Sequence, residues 1–231
     1  MKNITAVVLL VLALCATPAR AQLVDDSLGT RQRLADAGYR YDDPALVVRA
    51  LQDEKEIVAV FAANFLAQQR ATPDVIAALR SASESSRESV AVSALGALQT
   101  LGATGWEGSA SGLMQGTRDG ITRLELAGIL AKAGRSEGWL IIRDALTPDN
   151  PSMGVALWNA APFHGLKLAD RTTIDAISEL RRLQGELRER GRSADASRVE
   201  MHVAQAVFTC RCEPLAGWSR PVIESARDAL T

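Results

Sequence analysis

The feature that most constrains this chain is a small-residue segment that returns at a nearly fixed interval. Residues Val58–Leu66 read VAVFAANFL, and 32 residues later Val90–Leu98 read VAVSALGAL. A third segment, Thr122–Leu130 (TRLELAGIL), carries Ala and Leu at the same offsets. Apolar residues recur at three and four, the period of a helix face, rather than at the interval of two that a half-buried strand needs. Self-similarity at such a period marks a repeat architecture, in which each unit buries its apolar face only by stacking on its neighbours. The expected fold is all-α, an α-solenoid of stacked antiparallel helix pairs.

Local punctuation gives the repeats their phase. Asp43-Pro44 predicts a helix start, with an Asx cap and proline at the first helical position, followed by Leu46, Val47, Ala50 and Leu51. Asp53 is expected to cap a second helix whose stripe is Ile57, Val58, Phe61, Ala62, Phe65 and Leu66. Thr72-Pro73-Asp74 opens a third, and further helices are expected over 88–101, 105–114, 121–133, 137–146 and 151–161. Breaks fall at Gly102-Ala103-Thr104, Gly116 to Gly120, Ala133-Gly134-Arg135 and the turn Thr147 to Pro151, all rich in residues that stop helices. Gly105-Trp106 and Gly138-Trp139, 33 residues apart, are expected to open the second helix of their pairs and to occupy equivalent positions. From Leu166 the register loosens. A long helix is predicted from Asp170 or Thr172 to about Arg190, with Ile174, Ile177, Leu180, Leu183 and Leu187 on one stripe. Gly191 would end it, Ser193 would cap a helix over 194–208, and a short last helix would cover 221–230.

The spacing Val58, Ala62, Ala63, Leu66 and its counterpart Val90, Ala94, Leu95, Leu98 resembles the first helix of HEAT-like repeats of the short, lyase-associated type. The resemblance covers roughly residues 43–163. The arginine such repeats often carry just after the valine is matched only by Arg123; Ala59 and Ala91 stand at that place in the other two copies. What the resemblance implies is an α-solenoid that binds other macromolecules, with an enzyme of the bilin-lyase-like type as its alternative. The expected organisation is a lead-in or capping segment at 22–42, a repeat array at 43–165, and a diverged helical part of the same solenoid at 166–231.

The N-terminus points to export. Lys2, an apolar run from Ala6 to Ala16 and the small residues Ala19 and Ala21 describe a secretory signal peptide over 1–21. The run is shorter than the roughly 20 residues needed to span a bilayer. A lipobox-like Leu12-Ala13-Leu14-Cys15 offers a lipoprotein reading, but Leu14 stands where a small residue is wanted. Either way the chain is expected to leave the cytoplasm, periplasmic or secreted, with no transmembrane segment in the mature form. Cleavage after Ala21 removes Lys2 and Arg20 and no acid, so a formal charge of −1 becomes −3. That balance gives no electrostatic footprint for nucleic acid.

Few residues could carry chemistry. Cys210-Arg211-Cys212, with His202 two helical turns earlier, leaves three readings open. The two mature cysteines could form a disulfide, which an oxidising compartment favours; they could stay free or pair between molecules; or, with His202, they could hold Cu(I) or zinc. His164 is the only other histidine and reads as a loop residue. Gly108-Ser109-Ala110-Ser111-Gly112 looks like a nucleophile elbow, but its spacing departs from the motif and it lacks a strand-turn-helix context. No phosphate loop or H-E-x-x-H is present, and no cofactor is implied. For binding, Trp106, Trp139 and Trp158 could line a groove or pack between helices. The basic cluster Arg181, Arg182, Arg188, Arg190 and Arg192 could grip an acidic partner or phospholipid headgroups or, interleaved with Glu179, Glu186 and Glu189, form a solvated face of intrahelical pairs. The expected job is non-catalytic binding of a protein or peptide partner, with a thiol or metal protein acting through Cys210, Cys212 and His202 as the competing class.

Overall fold

The structure, a computed structural model, describes residues 29–160 and 170–209, with side chains in the second stretch from 178 to 203. Every regular element among the described residues is a helix. They fall into two compact units, residues 1–103 and 104–231.

The first unit holds α1 (29–36), α2 (Pro44–Ala50), α3 (Glu56–Leu66), α4 (Pro73–Ser83) and α5 (Glu88–Thr100). Asp43 caps α2 by accepting from the Ala45 N–H, and Thr72 caps α4 by accepting from Val75 N–H, in both cases with proline at the start of the helix. Asp53 does not sit at the N-cap of α3. That place belongs to Lys55, while Asp53 holds the preceding turn, its Oδ1 accepting from Lys55 N–H at 2.8 Å. The stripe of α3 is also rotated from the expected one. Its buried members are Val58, Ala59, Ala62, Ala63, Phe65 and Leu66; Ile57 is 55% exposed and Phe61 half-buried. α3 packs on α2 and on α5, and α5 packs on both α3 and α4, so α5 has two buried flanks. Its Val90, Ala91, Val92, Ala94, Leu95, Ala97 and Leu98 are all buried, and Ala94 is completely so. Each fully buried leucine contributes roughly 1.5–3 kcal/mol, while the alanines let the helix axes approach.

The second unit holds α6 (Glu107–Gly116), α7 (Gly120–Lys132), α8 (Ser136–Ala145), α9 (Met153–Ala160), α10 (Asp170–Glu189) and α11 (Ser193–Thr209). α7 packs on α6, α8 and α9, α8 on α9 and α10, and α10 on α11. Asp119 caps α7 through a 2.8 Å bond from Thr122 N–H. α9 starts two residues later than the proline at 151 suggests, because Asn150 first closes an Asx turn on Ser152 N–H at 2.8 Å. Ser193, expected as the residue before α11, is its first residue. Leu180, Leu183 and Leu187 are fully buried, as the stripe on α10 predicts.

Glycine ends helices in both units. At the end of α5 the Gly102 N–H bonds to Gln99 O and Ala103 N–H to Leu98 O; after α7, Gly134 N–H bonds to Ala131 O and Arg135 N–H to Leu130 O. Both glycines lie at positive φ, +67° and +78°, completing the Schellman arrangement that satisfies the last carbonyls. Gly191 ends α10 in the same way, where a stop was expected.

Candidate functional site

The three candidate tryptophans separate by burial. Trp106 is 4% and Trp139 7% exposed, so their rings are packing and present no groove surface. They are also not equivalent positions. Trp106 is the N-cap of α6 and follows Gly105 at φ +79°, whereas Trp139 lies inside α8 after Gly138, a helical residue pressed against α7. A Cβ on Gly138 would lie 2.3 Å from Ala127 O and 2.7 Å from Ala131 N, so only glycine lets α8 cross α7 at this depth. Trp158 is different. α9 buries Met153, Ala156, Leu157 and Ala160, which leaves Trp158 on the opposite face at 60% exposure. Gly154, one turn earlier on that face, has open space where a side chain would be.

The arginines of α10 serve the fold more than a partner. Arg182 donates Nε–H to Glu179 at 2.7 Å and pairs with Glu186, the expected intrahelical pairs at three and four. Its Nη2 also donates to Leu146 O, the C-cap carbonyl of α8, at 3.1 Å. Arg190 pairs with Asp149 at 2.6 Å and Arg192 donates to Pro148 O, so the turn after α8 is held at three points. The Arg190 guanidinium keeps the Asp149 carboxyl below its ordinary range. Arg188 pairs with Glu200 of α11 at 2.9 Å, and Arg181 turns its Nη2 out of reach of solvent. Arg182 and Arg188 thus stand in ion pairs within their own unit, the intrahelical or helix-to-helix arrangement that the interleaved glutamates suggest. The donors of Arg182 and Arg188 go to carboxylates and, for Arg182, also to the Leu146 carbonyl at the C-terminus of α8, where a cation is electrostatically favoured.

The first unit contains the same device. Arg87, at the N-cap of α5, donates Nη1–H to Asp53 O at 2.5 Å and Nη2–H to Leu51 O at 3.3 Å, and Leu51 is the C-cap of α2. Arg87 and Leu51 are 36 residues apart, the same separation as Arg182 and Leu146. Ser89 adds a hydrogen bond to Glu56 at the start of α3. The sequence holds only a weak trace of these ties in the equal spacing of arginine and leucine, because arginine is too common here for that spacing to stand out.

A shallow cleft of about 300 Å³ is lined by Ala35, Gly38, Tyr39, Arg40, Tyr41 and Asp42. Its polar groups are already engaged. Tyr39 O–H donates to Asp53 Oδ2 at 2.7 Å, which raises the phenol pKa and, with the Lys55 N–H, lowers that of the carboxyl; Arg40 is paired with Asp42. Tyr41 meets Phe65 edge-on, and the Arg31 guanidinium lies over the Tyr41 ring at 5.8 Å. The cleft thus brings no uncommitted acid, base or thiol together.

His202 lies buried in α11, and burial, with a smaller contribution from Arg198, pushes its pKa down. Cys210, Cys212, His164 and residues 1–21 fall outside the described residues, so the disulfide, thiol and metal readings and the signal peptide are left where the sequence puts them. Among the described residues no group of three or more His, Cys, Asp or Glu side chains is gathered as a metal site would need. No helix among them is long and apolar enough to cross a membrane. Comparison with protein-family models, curated proteins and solved structures finds no match to this chain.

Proposed function

We propose that this is an exported α-solenoid of HEAT-like helix pairs that binds a protein or peptide partner without catalysis, as a scaffold or adaptor in the periplasm. The observation that carries the reading is Trp158, a large rigid ring left 60% exposed on a helix whose other face is packed. Exposed aromatics of this kind are the usual anchors of protein recognition. Two further features support it. Helices two apart in the chain pack on each other within each unit, as α3 does on α5 and α7 on α9, a contact that stacked helix pairs require. The polar groups of the described cleft, Tyr39 with Asp53 and Arg40 with Asp42, pair with one another rather than converge on a reacting centre.

The test uses the exported protein as bait in periplasmic extract, beside its Trp158→Ala variant. A protein captured by the native chain and lost from the variant, with the melting temperature unchanged, supports the proposal. No specific protein, or equal capture by both, overturns it. Export is tested separately. N-terminal sequencing of protein from the periplasmic fraction should begin at Gln22, and retention of residues 1–21 in the cytoplasm would remove that part of the reading.

A further inference from the structure

We draw no further inference here: the strongest candidate, the exposed face of α9 carrying Trp158 and Gly154, carries nothing more, because it belongs to the surface already proposed for the partner and nothing in the structure shows what covers it.

Discussion

The two units solve one problem alike and another differently. Both tie a later helix to the C-cap of an earlier one through an arginine 36 residues on, Arg87 to Leu51 and Arg182 to Leu146. Their seams differ. In the first unit α5, packed on α3 and α4, buries Ala91, Ala94 and Ala97 beside two valines and two leucines, whereas in the second the packing of α7 on α8 and α9 involves glycines, with Gly138 against backbone atoms of α7 and Gly128 against the Asn159 side chain. A recurring sequence segment therefore does not fix how closely its helix meets its neighbours. The recurrent element is the small side chain, and the step from alanine to glycine turns side-chain contact into backbone contact.

The largest expected effect separates buried from exposed tryptophan. Trp139→Ala should cost about 3–5 kcal/mol in chemical denaturation, the range for emptying a large aromatic site, whereas Trp158→Ala should stay within about 0.5 kcal/mol of the native chain. Equal losses would put Trp158 in the core and remove the basis for proposing it as an anchor.

The seams come next. Gly138→Ala should destabilise by about 3 kcal/mol, because the atoms its Cβ meets are backbone and cannot swing aside. Gly128→Ala should cost less, about 1 kcal/mol, since the atoms it meets belong to the Asn159 side chain. In the first unit Ala94→Leu should cost about 1–3 kcal/mol through overpacking. A Gly138→Ala variant no weaker than Gly128→Ala would show that the α7–α8 crossing is looser than described.

The ties should follow. Arg87→Met removes two charge-assisted bonds from a half-buried arginine and should cost about 2 kcal/mol, with Arg87→Lys recovering only part because an ammonium lacks the guanidinium fork. Arg182→Met should cost about 1 kcal/mol, its side chain being 42% exposed and Arg190 and Arg192 still holding the same turn. If Arg182 proved the costlier of the two, the order of burial would not be what decides.

The smallest effect is one of pH. His202 has its pKa depressed by burial from an ordinary 6.5, so the folded chain binds fewer protons than the unfolded chain in the window below that value. Stability is then fully present above pH 6.5 and falls as the pH drops through the window. Glu125, raised by burial from 4.5, acts in the opposite sense at lower pH, so the effect should be read as the difference between the native chain and His202→Gln. In the first unit Asp53 is depressed from 3.8, and its contribution is lost only below that value. Denaturation curves between pH 7 and 5 should therefore converge for the native chain and His202→Gln as the pH falls. Parallel curves would show that His202 does not titrate on unfolding.

Much of the fold was legible because the residues that stop and start helices act locally. Gly102, Gly134 and Gly191 end helices where expected, since only glycine takes positive φ without strain; Thr72 caps α4 because a hydroxyl before proline has an amide within reach. What the sequence could not show depends on neighbours distant in the chain. Ile57 fits the α3 stripe by period alone, yet packing of α2 and α5 rotates the buried face toward Ala59 and Ala63. Trp106, Trp139 and Trp158 look alike as candidate groove or core rings in the sequence, and only the packing of each helix separates two core rings from one exposed ring. The ties of Arg182 to Leu146 O and of Arg192 to Pro148 O could not be read from the sequence because their acceptors are backbone carbonyls, which every residue has and no composition reveals.

The central claim is that the face of α9 bearing Trp158 meets a protein partner, and site-specific photo-crosslinking in the living cell tests it most directly. A photoreactive residue at position 158 should yield one discrete crosslinked product, absent when the same residue stands at buried position 139. A chain that crosslinks to nothing at 158, or to the same background at both positions, would contradict the account.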